Sequence, residues 1–219
     1  TETCLKIGGL VRYQINWDDN QDGWDKDALA RLKFDARSET EFGTFRRYIE
    51  IEHSIGGGGW VNLPETTVDG VTVPAGDYWT GRKSESGTTL RHAYFELGGL
   101  LVGHTDTLYD GDLAGEFDLD GSYRINQIRY TFDAGNGISV SAGLEEESDG
   151  FDYIPLVIGK VSIAQGWGSV DLIAGYDDAY SEFALKGLVN VKVTDALTLQ
   201  IMATYESGPT FWGLVDNYE

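Results

Sequence analysis

Apolar and polar residues alternate with a period of two along most of this chain. In residues 5–17 the odd positions include Ile7 and Val11, whereas the even positions include Lys6 and Arg12. Successive side chains of a β-strand point to opposite faces, so this alternation predicts a strand with one apolar and one polar face.

The polar face of the second predicted strand is densely charged. In residues 28–39 the even positions are mostly apolar, and the odd positions include five charged residues, namely Arg31, Lys33, Asp35, Arg37 and Glu39. Five charges on one face cannot form a packed core, because each buried charge would need a paired and hydrogen-bonded partner. This face is therefore expected to meet water.

The same pattern predicts eleven strands whose connections alternate in length. We assign the strands to residues 5–17, 28–39, 44–54, 90–97, 100–104, 126–133, 137–145, 156–164, 168–177, 182–193 and 197–206. Tight turns such as residues 98–99 alternate with mostly longer connections such as residues 55–89. Short turns at one rim and long loops at the other are typical of a transmembrane β-barrel.

Two all-β architectures are compatible with this alternation. A soluble antiparallel sandwich or barrel would show it too, but would pack bulky residues on its apolar face. Here that face carries Gly9, Gly159, Gly187 and repeated alanines, with aromatic residues near strand ends. Lipid-facing belts have this composition, which favours an antiparallel transmembrane β-barrel with residues 1–219 in a single domain.

The composition narrows the range of partners. The formal net charge of −20 argues against nucleic acid, since phosphates demand a basic face, and it favours cations. The longest weakly polar run, residues 153–164, contains Lys160, so no transmembrane helix is predicted. Cys4 is the only cysteine and the 3 histidines are scattered, so we predict no internal disulfide, no metal site and no cofactor.

Six short motifs occur in order along nearly the whole chain. They are Cys4-Leu5-Lys6-Ile7-Gly8-Gly9-Leu10-Val11-Arg12-Tyr13, Gly23-Trp24-Asp25-Lys26, Ser38-Glu39-Thr40-Glu41-Phe42-Gly43-Thr44, Ala93-Tyr94-Phe95-Glu96-Leu97-Gly98-Gly99, Tyr130-Thr131-Phe132 with Gly135-Asn136-Gly137, and Gly166-Trp167-Gly168-Ser169. Together they resemble the alphaproteobacterial outer-membrane porins, the family of the Brucella porins.

The resemblance implies a trimeric general-diffusion porin of the Gram-negative outer membrane, in contact with membrane lipid and lipopolysaccharide. It also implies a barrel of sixteen strands, of which this sequence supplies about 11. Family members place a second cysteine upstream of the position of Cys4, and this sequence ends at Tyr218-Glu219 after an odd number of strands. We therefore expect an N-terminal segment and C-terminal strands that this sequence lacks.

Residues 105–122 are the candidate pore constriction. This stretch has no Lys or Arg and holds six carboxylates, namely Asp106, Asp110, Asp112, Glu116, Asp118 and Asp120. A porin narrows its lumen by folding a long loop into it, and six carboxylates would make that point electronegative. An ordinary solvated acidic loop is the alternative, whereas a calcium loop starting at Asp110 fails because its twelfth position is Gly121.

The strands facing this loop are expected to supply the opposing charges. The predicted basic pore-lining residues are Lys6, Arg12, Arg31, Lys33, Arg37, Arg46 and Arg129, and the acidic ones are Asp35, Glu50 and Glu52. Opposed rings of charge would set a transverse field that favours cations. Salt-bridged packing within the lumen is another interpretation of the same residues, and both can hold together.

Three classes of function follow from these features. Passive diffusion of ions and small hydrophilic solutes through a cation-preferring pore, with no catalytic residue, is the leading hypothesis. The second is a carbohydrate-active enzyme on a soluble β-barrel, for which Glu145, Glu146 and Glu147, or else Glu50 and Glu52, could supply paired carboxylates. The third is a ligand-specific or adhesive outer-membrane barrel that acts through residues 55–89. Recovery in aqueous buffer without detergent would contradict both membrane hypotheses.

Overall fold

Strands dominate the structure, a computed structural model that describes residues 3–18, 23–56, 58–63, 65–68, 71–82, 86–111, 113, 123–146 and 154–213. Within these residues there are fifteen strands: β1 (Thr3–Asp18), β2 (Gly23–Thr40), β3 (Gly43–Gly56), β4 (Gly58–Leu63), β5 (Thr66–Val68), β6 (Val71–Val73), β7 (Gly76–Arg82), β8 (Ser86–Leu97), β9 (Leu100–Asp106), β10 (Arg124–Asp133), β11 (Ile138–Glu146), β12 (Leu156–Gln165), β13 (Gly168–Asp177), β14 (Glu182–Thr194) and β15 (Leu197–Glu206). Among the described residues no helix has the length and apolar composition needed to cross a membrane.

Eleven of these strands form one sheet, in the order β1-β2-β3-β8-β9-β10-β11-β12-β13-β14-β15. The registers from β8 to β15 are all antiparallel. This confirms the predicted all-β fold of eleven antiparallel strands.

The chain divides into two compact units. The first comprises Thr1–Leu5, Asp35–Ile49 and Arg91–Glu219, and the second comprises Lys6–Phe34 and Glu50–Leu90. The continuous ladder from β9 to β15 lies in the first unit, and the short strands β4 to β7 lie in the second.

Tight turns join alternate strands, as the sequence predicts. Gly98 and Gly99, between β8 and β9, have φ angles of 57° and 89°, in the left-handed region that other residues rarely adopt. A Cβ atom on Gly99 would also lie 2.5 Å from the backbone oxygen of Thr131. The close approach of this turn to β10 therefore requires glycine.

The registers of β10 to β15 separate side chains by polarity. Ile128 lies opposite Leu144 and Phe132 lies opposite Val140. Ile128 and Phe132 are 54% and 58% exposed, so the sheet exposes bulky apolar side chains that a soluble barrel would bury. We call this side the apolar face; on β10 to β15 it includes Ile128, Tyr130, Phe132, Val140, Leu144, Val157, Val161, Leu172, Leu185, Ile201 and Tyr205.

The opposite side of the same strands carries polar groups, and we call it the polar face. One row across it runs through Thr131, Ser141, Lys160, Ile173, Lys186 and Thr204. A second row includes Gln127 and Glu145, which are paired between β10 and β11. Lysines and carboxylates thus lie on the side away from the exposed apolar residues, as the strand parity predicts.

Strand parity predicts that ten apolar residues along the sheet lie on the outer, apolar side of their strands. Eight of them are exposed, namely Ile7, Val11, Ile49, Phe95, Tyr130, Val140, Leu172 and Ile201. Phe34 and Val189 are partly buried.

The long connection between β3 and β8 is more ordered than the sequence analysis expected. The sequence predicts one long connection over residues 55–89, but four short strands lie within it. β4 pairs with β7 and β5 pairs with β6, both antiparallel. The β-branched residues Thr66, Thr67 and Val68 and their partners Val71, Thr72 and Val73 favour extended backbone, which explains the second hairpin.

An apolar cluster lies on the polar face, which parity alone did not predict. Its buried members are Leu108, Tyr109, Ile125, Leu156, Ile158, Ile173, Ala184, Leu188 and Trp212. Leu156 and Ile158 flank the exposed Val157, so both faces of β12 are apolar at its start. Alternation therefore could not reveal that one of these faces is covered by other parts of the chain.

Candidate functional site

The start of the connection between β9 and β10 folds onto the polar face of the sheet. We call this part, residues 107–111, the inward segment. The side chain of Tyr109 is 0% exposed, and its hydroxyl donates a hydrogen bond of 3.1 Å to the backbone oxygen of Leu185 on β14. Gly111 lies so close to Leu188 that an added Cβ atom would be 2.4 Å from a methyl carbon of that leucine. The segment is thus packed against the strands.

The start of this connection differs from the prediction. We placed the loop at residues 105–122, but Thr105 and Asp106 belong to β9 and pair in register with Ile125 and Arg124 of β10. The ladder extends this far because Thr105 and Ile125 are β-branched and buried, which favours extended backbone. Asp106 is consequently the last strand residue rather than part of the loop.

Glu145 of β11 fixes the start of the inward segment. Its carboxylate accepts a 2.6 Å hydrogen bond from the Thr107 hydroxyl and a 2.7 Å hydrogen bond from the backbone N–H of Leu108. Glu145, Thr107 and Leu108 are all buried. A buried carboxylate needs hydrogen-bond donors, and buried donors need an acceptor. These two hydrogen bonds therefore hold the inward segment against β11.

Lys186 of β14 fixes the middle of the inward segment. Its ammonium group lies 4.7 Å from the centroid of the Tyr109 ring and 3.5 Å from the backbone oxygen of Gly111. Lys186 is buried, so the cation is removed from water, where a cation–π contact gains strength. Two buried charged residues on different strands therefore hold this one short segment.

A polar pocket of about 370 Å³ lies between the inward segment and the polar face. Asp106 and Asp110 line it together with Arg129, Lys160 and five Ser or Thr residues. Of the six predicted constriction carboxylates, these two are described and share one pocket. The other four, Asp112, Glu116, Asp118 and Asp120, lie outside the described residues.

In the second unit two of the predicted basic residues, Arg31 and Lys33, are paired with the predicted acidic ones. Arg31 contacts the carboxylates of both Glu50 and Glu52. Lys33 lies 3.2 Å from Glu50, which is buried. Two cations of β2 thus pair with two carboxylates of β3.

In the first unit Arg46 is the centre of a similar network. Its guanidinium nitrogens lie 3.2 Å from Asp35 and 3.0 Å from Glu96, and Arg37 lies 2.9 Å from Asp35. The Arg46 guanidinium also stands 5.0 Å and 5.5 Å from the ring centroids of two tyrosines, Tyr48 and Tyr94. Here too two cations pair with two carboxylates, and Glu96 is a member of the network that the sequence analysis did not list.

The three remaining predicted cations behave differently. Lys6 and Arg12 on β1 are exposed, and Arg129 lines the polar pocket. None of the three makes an ion pair within the described ranges of the chain. Arg129 is therefore the predicted basic residue whose charge is available to a solute in the pocket.

Four residues on the polar face were not among the predicted site residues. Lys160, which forms a 3.7 Å ion pair with Asp171, could have been found from its parity on β12. Glu145 could have been found in the same way, although its role as an anchor could not. The parity of β14 also places Lys186 on the polar face, but its contact with Tyr109 could be found only from the fold. The same holds for Trp212, because Tyr109 is distant from both residues in sequence.

This chain is similar in sequence to known porins. A family model described as "Porin subfamily" matches residues 1–219. Porin Omp2b of Brucella suis biovar 1 (strain 1330) is 34% identical over 235 residues, which cover 96% of this chain and 61% of that protein. Porin Omp2a of Brucella ovis is also 34% identical, with 96% of this chain and 65% of that protein covered. The chain thus spans less than two thirds of the length of these relatives.

A solved structure shares the fold. The outer membrane channel DcaP of Acinetobacter baumannii matches with a TM-score of 0.65 and 18% sequence identity, over 96% of this chain and 66% of that one. At this level of identity the likeness concerns the backbone architecture.

Proposed function

We propose, from the premise that this chain belongs to the Porin subfamily, that it lines a water-filled channel through which ions and small hydrophilic solutes diffuse. The family is one of outer-membrane β-barrels, so the protein resides in the outer membrane. The observation that carries the proposal is the sidedness of the sheet: its exposed face is apolar, and its charged face is the one onto which a loop folds.

The charged face is suited to contact with water. The Arg46 and Arg31 networks lie on strands whose polar positions are partly exposed. A charge such as that of Arg129, which has no ion-pair partner within the described part of the chain, would be costly in a dry interior. Hydrocarbon tolerates the exposed apolar face but not these charges. A sheet of this kind separates lipid on one side from an aqueous lumen on the other.

A preference for cations is the finer part of the proposal. The basic residues Arg31, Lys33, Arg37 and Arg46 are each paired with carboxylates, so these ion pairs contribute little net potential. The connection between β9 and β10 contains only acidic charges, and the whole chain has a net charge of −20. An acidic segment folded into the lumen would lower the energy of a cation at the narrow point.

The geometry gives less support to the alternative functions. Glu145 is committed to hydrogen bonds with Thr107 and Leu108, and Glu50 and Glu52 are committed to ion pairs, so these carboxylates are not poised as an acid and base pair. Family relatives are porins, which argues for a channel rather than an enzyme. An adhesive function in residues 55–89 has no supporting observation among the residues that the structure describes there.

The proposal extends to the assembly of the whole protein. The relatives are longer, and a barrel closes all strand edges in lipid, so we propose that further strands complete a sixteen-stranded barrel. We also propose that it assembles as a homotrimer and contacts outer-membrane lipid and lipopolysaccharide through its apolar face and rim. No basic surface suited to nucleic acid is expected at this net charge.

Neutralising the acidic connection tests the cation preference. In the full-length protein, Asp110, Asp112, Asp118 and Asp120 are replaced by Asn and Glu116 by Gln. We expect the zero-current potential in a planar bilayer under a salt gradient to shift toward anions, with conductance of the same order because side-chain size hardly changes. The shift should shrink at high salt, since the Debye length falls from about 10 Å at 0.1 M to about 3 Å at 1 M.

The matched control neutralises acids in a different connection. Glu147 is replaced by Gln, and Asp149 and Asp152 by Asn, between β11 and β12, and Glu146 at the end of β11 is replaced by Gln. These changes should move the zero-current potential much less. An unchanged ion preference in the first variant at low salt would show that the acidic connection is an ordinary solvated loop.

A further inference from the structure

A second segment also folds onto the polar face and contacts the inward segment. It follows β15 and comprises residues 207–213, which we call the return segment. Trp212 and Tyr109 are both 0% exposed, and their rings stack with centroids 5.4 Å apart and an interplanar angle of 26°. The indole N–H of Trp212 points to the Thr107 hydroxyl oxygen at 3.3 Å. The two segments thus share one buried aromatic contact.

The return segment is itself held by hydrogen bonds to β13 and β15. The backbone N–H of Phe211 donates a 2.8 Å hydrogen bond to the carboxylate of Asp177, which is fully buried. The Thr210 hydroxyl donates a 2.5 Å hydrogen bond to Glu206 at the end of β15. These contacts place Trp212 independently of the inward segment.

The sheet beneath Trp212 leaves space for the indole ring. Gly175 of β13 lies on the polar face, and a Cβ atom added there would be 2.5 Å from the nearest ring atom of Trp212. Real Cβ atoms do not approach other atoms this closely, so the ring occupies the space that a side chain would need. Glycine at this position is therefore matched to Trp212.

We propose that the return segment is a clamp that holds the inward segment at the narrow point of the channel, with Trp212 as the positioning residue. The inference rests on the proposed channel function. It follows from the arrangement of contacts: Glu145 fixes one end of the inward segment, Lys186 supports Tyr109 from β14, and Trp212 stacks on Tyr109 from a segment with its own anchors.

The clamp predicts how the channel changes when Trp212 is lost. Glu145 would still hold Thr107, but Tyr109 would lose its stacking partner, so residues 109–111 would move away from the wall for part of the time. Loops that are held by few packed contacts open locally at low cost. The narrow point would then fluctuate in width, whereas the strands around it would keep their registers.

The experiment compares Trp212→Ala with Trp167→Ala in the full-length protein. Trp167 lies in the exposed turn between β12 and β13, so it controls for loss of a tryptophan. We expect Trp212→Ala to increase open-channel current noise and to give a several-fold rise in liposome uptake of a neutral trisaccharide relative to a monosaccharide. Trp167→Ala should match the parent, and Trp212→Phe should restore most of the parent behaviour because the ring stack is kept.

A second pair of variants tests the position of Trp212 by changing the strands beneath it. Gly175→Ala would displace the indole, whereas Gly159→Ala on neighbouring β12 meets only an ordinary contact of 3.7 Å. We expect Gly175→Ala to reproduce the noise and uptake of Trp212→Ala, and Gly159→Ala to match the parent. This pair decides the question if Trp212→Ala does not fold.

The outcomes separate the clamp from the channel function. A parent protein that conducts, together with Gly175→Ala and Trp212→Ala variants that match it in noise and uptake, would overturn the clamp alone. A Gly175→Ala protein that does not insert would also overturn it, because Trp212 would then serve the stability of the fold. A parent that carries no current would instead overturn the proposed function.

Discussion

A lysine in place of Val161 is expected to destabilise the folded protein in lipid by about 2–4 kcal/mol. Val161 lies in the middle of β12 on the apolar face, in register with Val140 and Leu172. A lysine there would place its ammonium group in hydrocarbon, where neither water nor a partner charge solvates it. Denaturant titration of the full-length protein in lipid vesicles, followed by tryptophan fluorescence, measures the loss.

The adjacent residue provides the control for this prediction. Ser162 follows Val161 in β12 but points to the polar face, in register with Ser139 and Asp171. Ser162→Lys should change the stability by less than about 1 kcal/mol, since its charge would meet water and polar neighbours. Equal losses for Val161→Lys and Ser162→Lys would mean that the exposed apolar face does not contact lipid.

Truncation of Glu145 is the second substitution with a large expected effect. Glu145→Ala would leave the Thr107 hydroxyl and the Leu108 N–H buried without their acceptor, and each such group costs about 1–3 kcal/mol. The inward segment should therefore detach more readily while the sheet persists. We expect a lower unfolding midpoint and faster cleavage between β9 and β10 by a Glu-specific protease, with the fragments identified by mass spectrometry.

Glu145→Gln distinguishes loss of the acceptor from loss of the charge. Its amide oxygen can still accept one of the two hydrogen bonds, so its stability should lie between those of the parent and Glu145→Ala. If Glu145→Ala were as stable and as resistant to the protease as the parent, the buried carboxylate would not anchor the segment.

Strand parity explains why the fold could be predicted from the sequence. A period of two is imposed by the backbone, and in β10 and β11 it places Ile128 and Leu144 on one face and Arg129 on the other. A face with five charges, such as that of β2, admits no dry core. Neither conclusion depends on which strands neighbour each other, so both were accessible before the structure.

The ion-pair partners within the candidate site could be predicted only in part. Arg31, Lys33, Glu50 and Glu52 were expected on one face, and the structure pairs them across β2 and β3. Strand order is needed to see that Glu96, from β8, completes the Arg46 network. Register alone does not tell which charges neutralise one another and which, like Arg129, have no ion-pair partner among the described residues.

The contact between the inward segment and the return segment could not be predicted from the sequence. Trp212 and Tyr109 are 103 positions apart, and no periodic pattern connects an irregular segment with the wall that it covers. The apolar residues beneath them, Ile158 and Ile173, break the polar parity of their strands. These apolar residues on the polar face mark the position at which the inward segment packs against the sheet.

Modification of single cysteines in β12 tests most directly whether the polar face lines the conducting path. In full-length protein with Cys4→Ser, which removes the exposed thiol of this chain, and with any other native cysteine likewise replaced by serine, Ser162→Cys and Val161→Cys are compared in planar bilayers. A positively charged, water-soluble methanethiosulfonate added during recording should reduce the current through Ser162→Cys and leave that through Val161→Cys unchanged. Loss of current through Val161→Cys, or no response of Ser162→Cys, would contradict the assignment of the polar face to the channel.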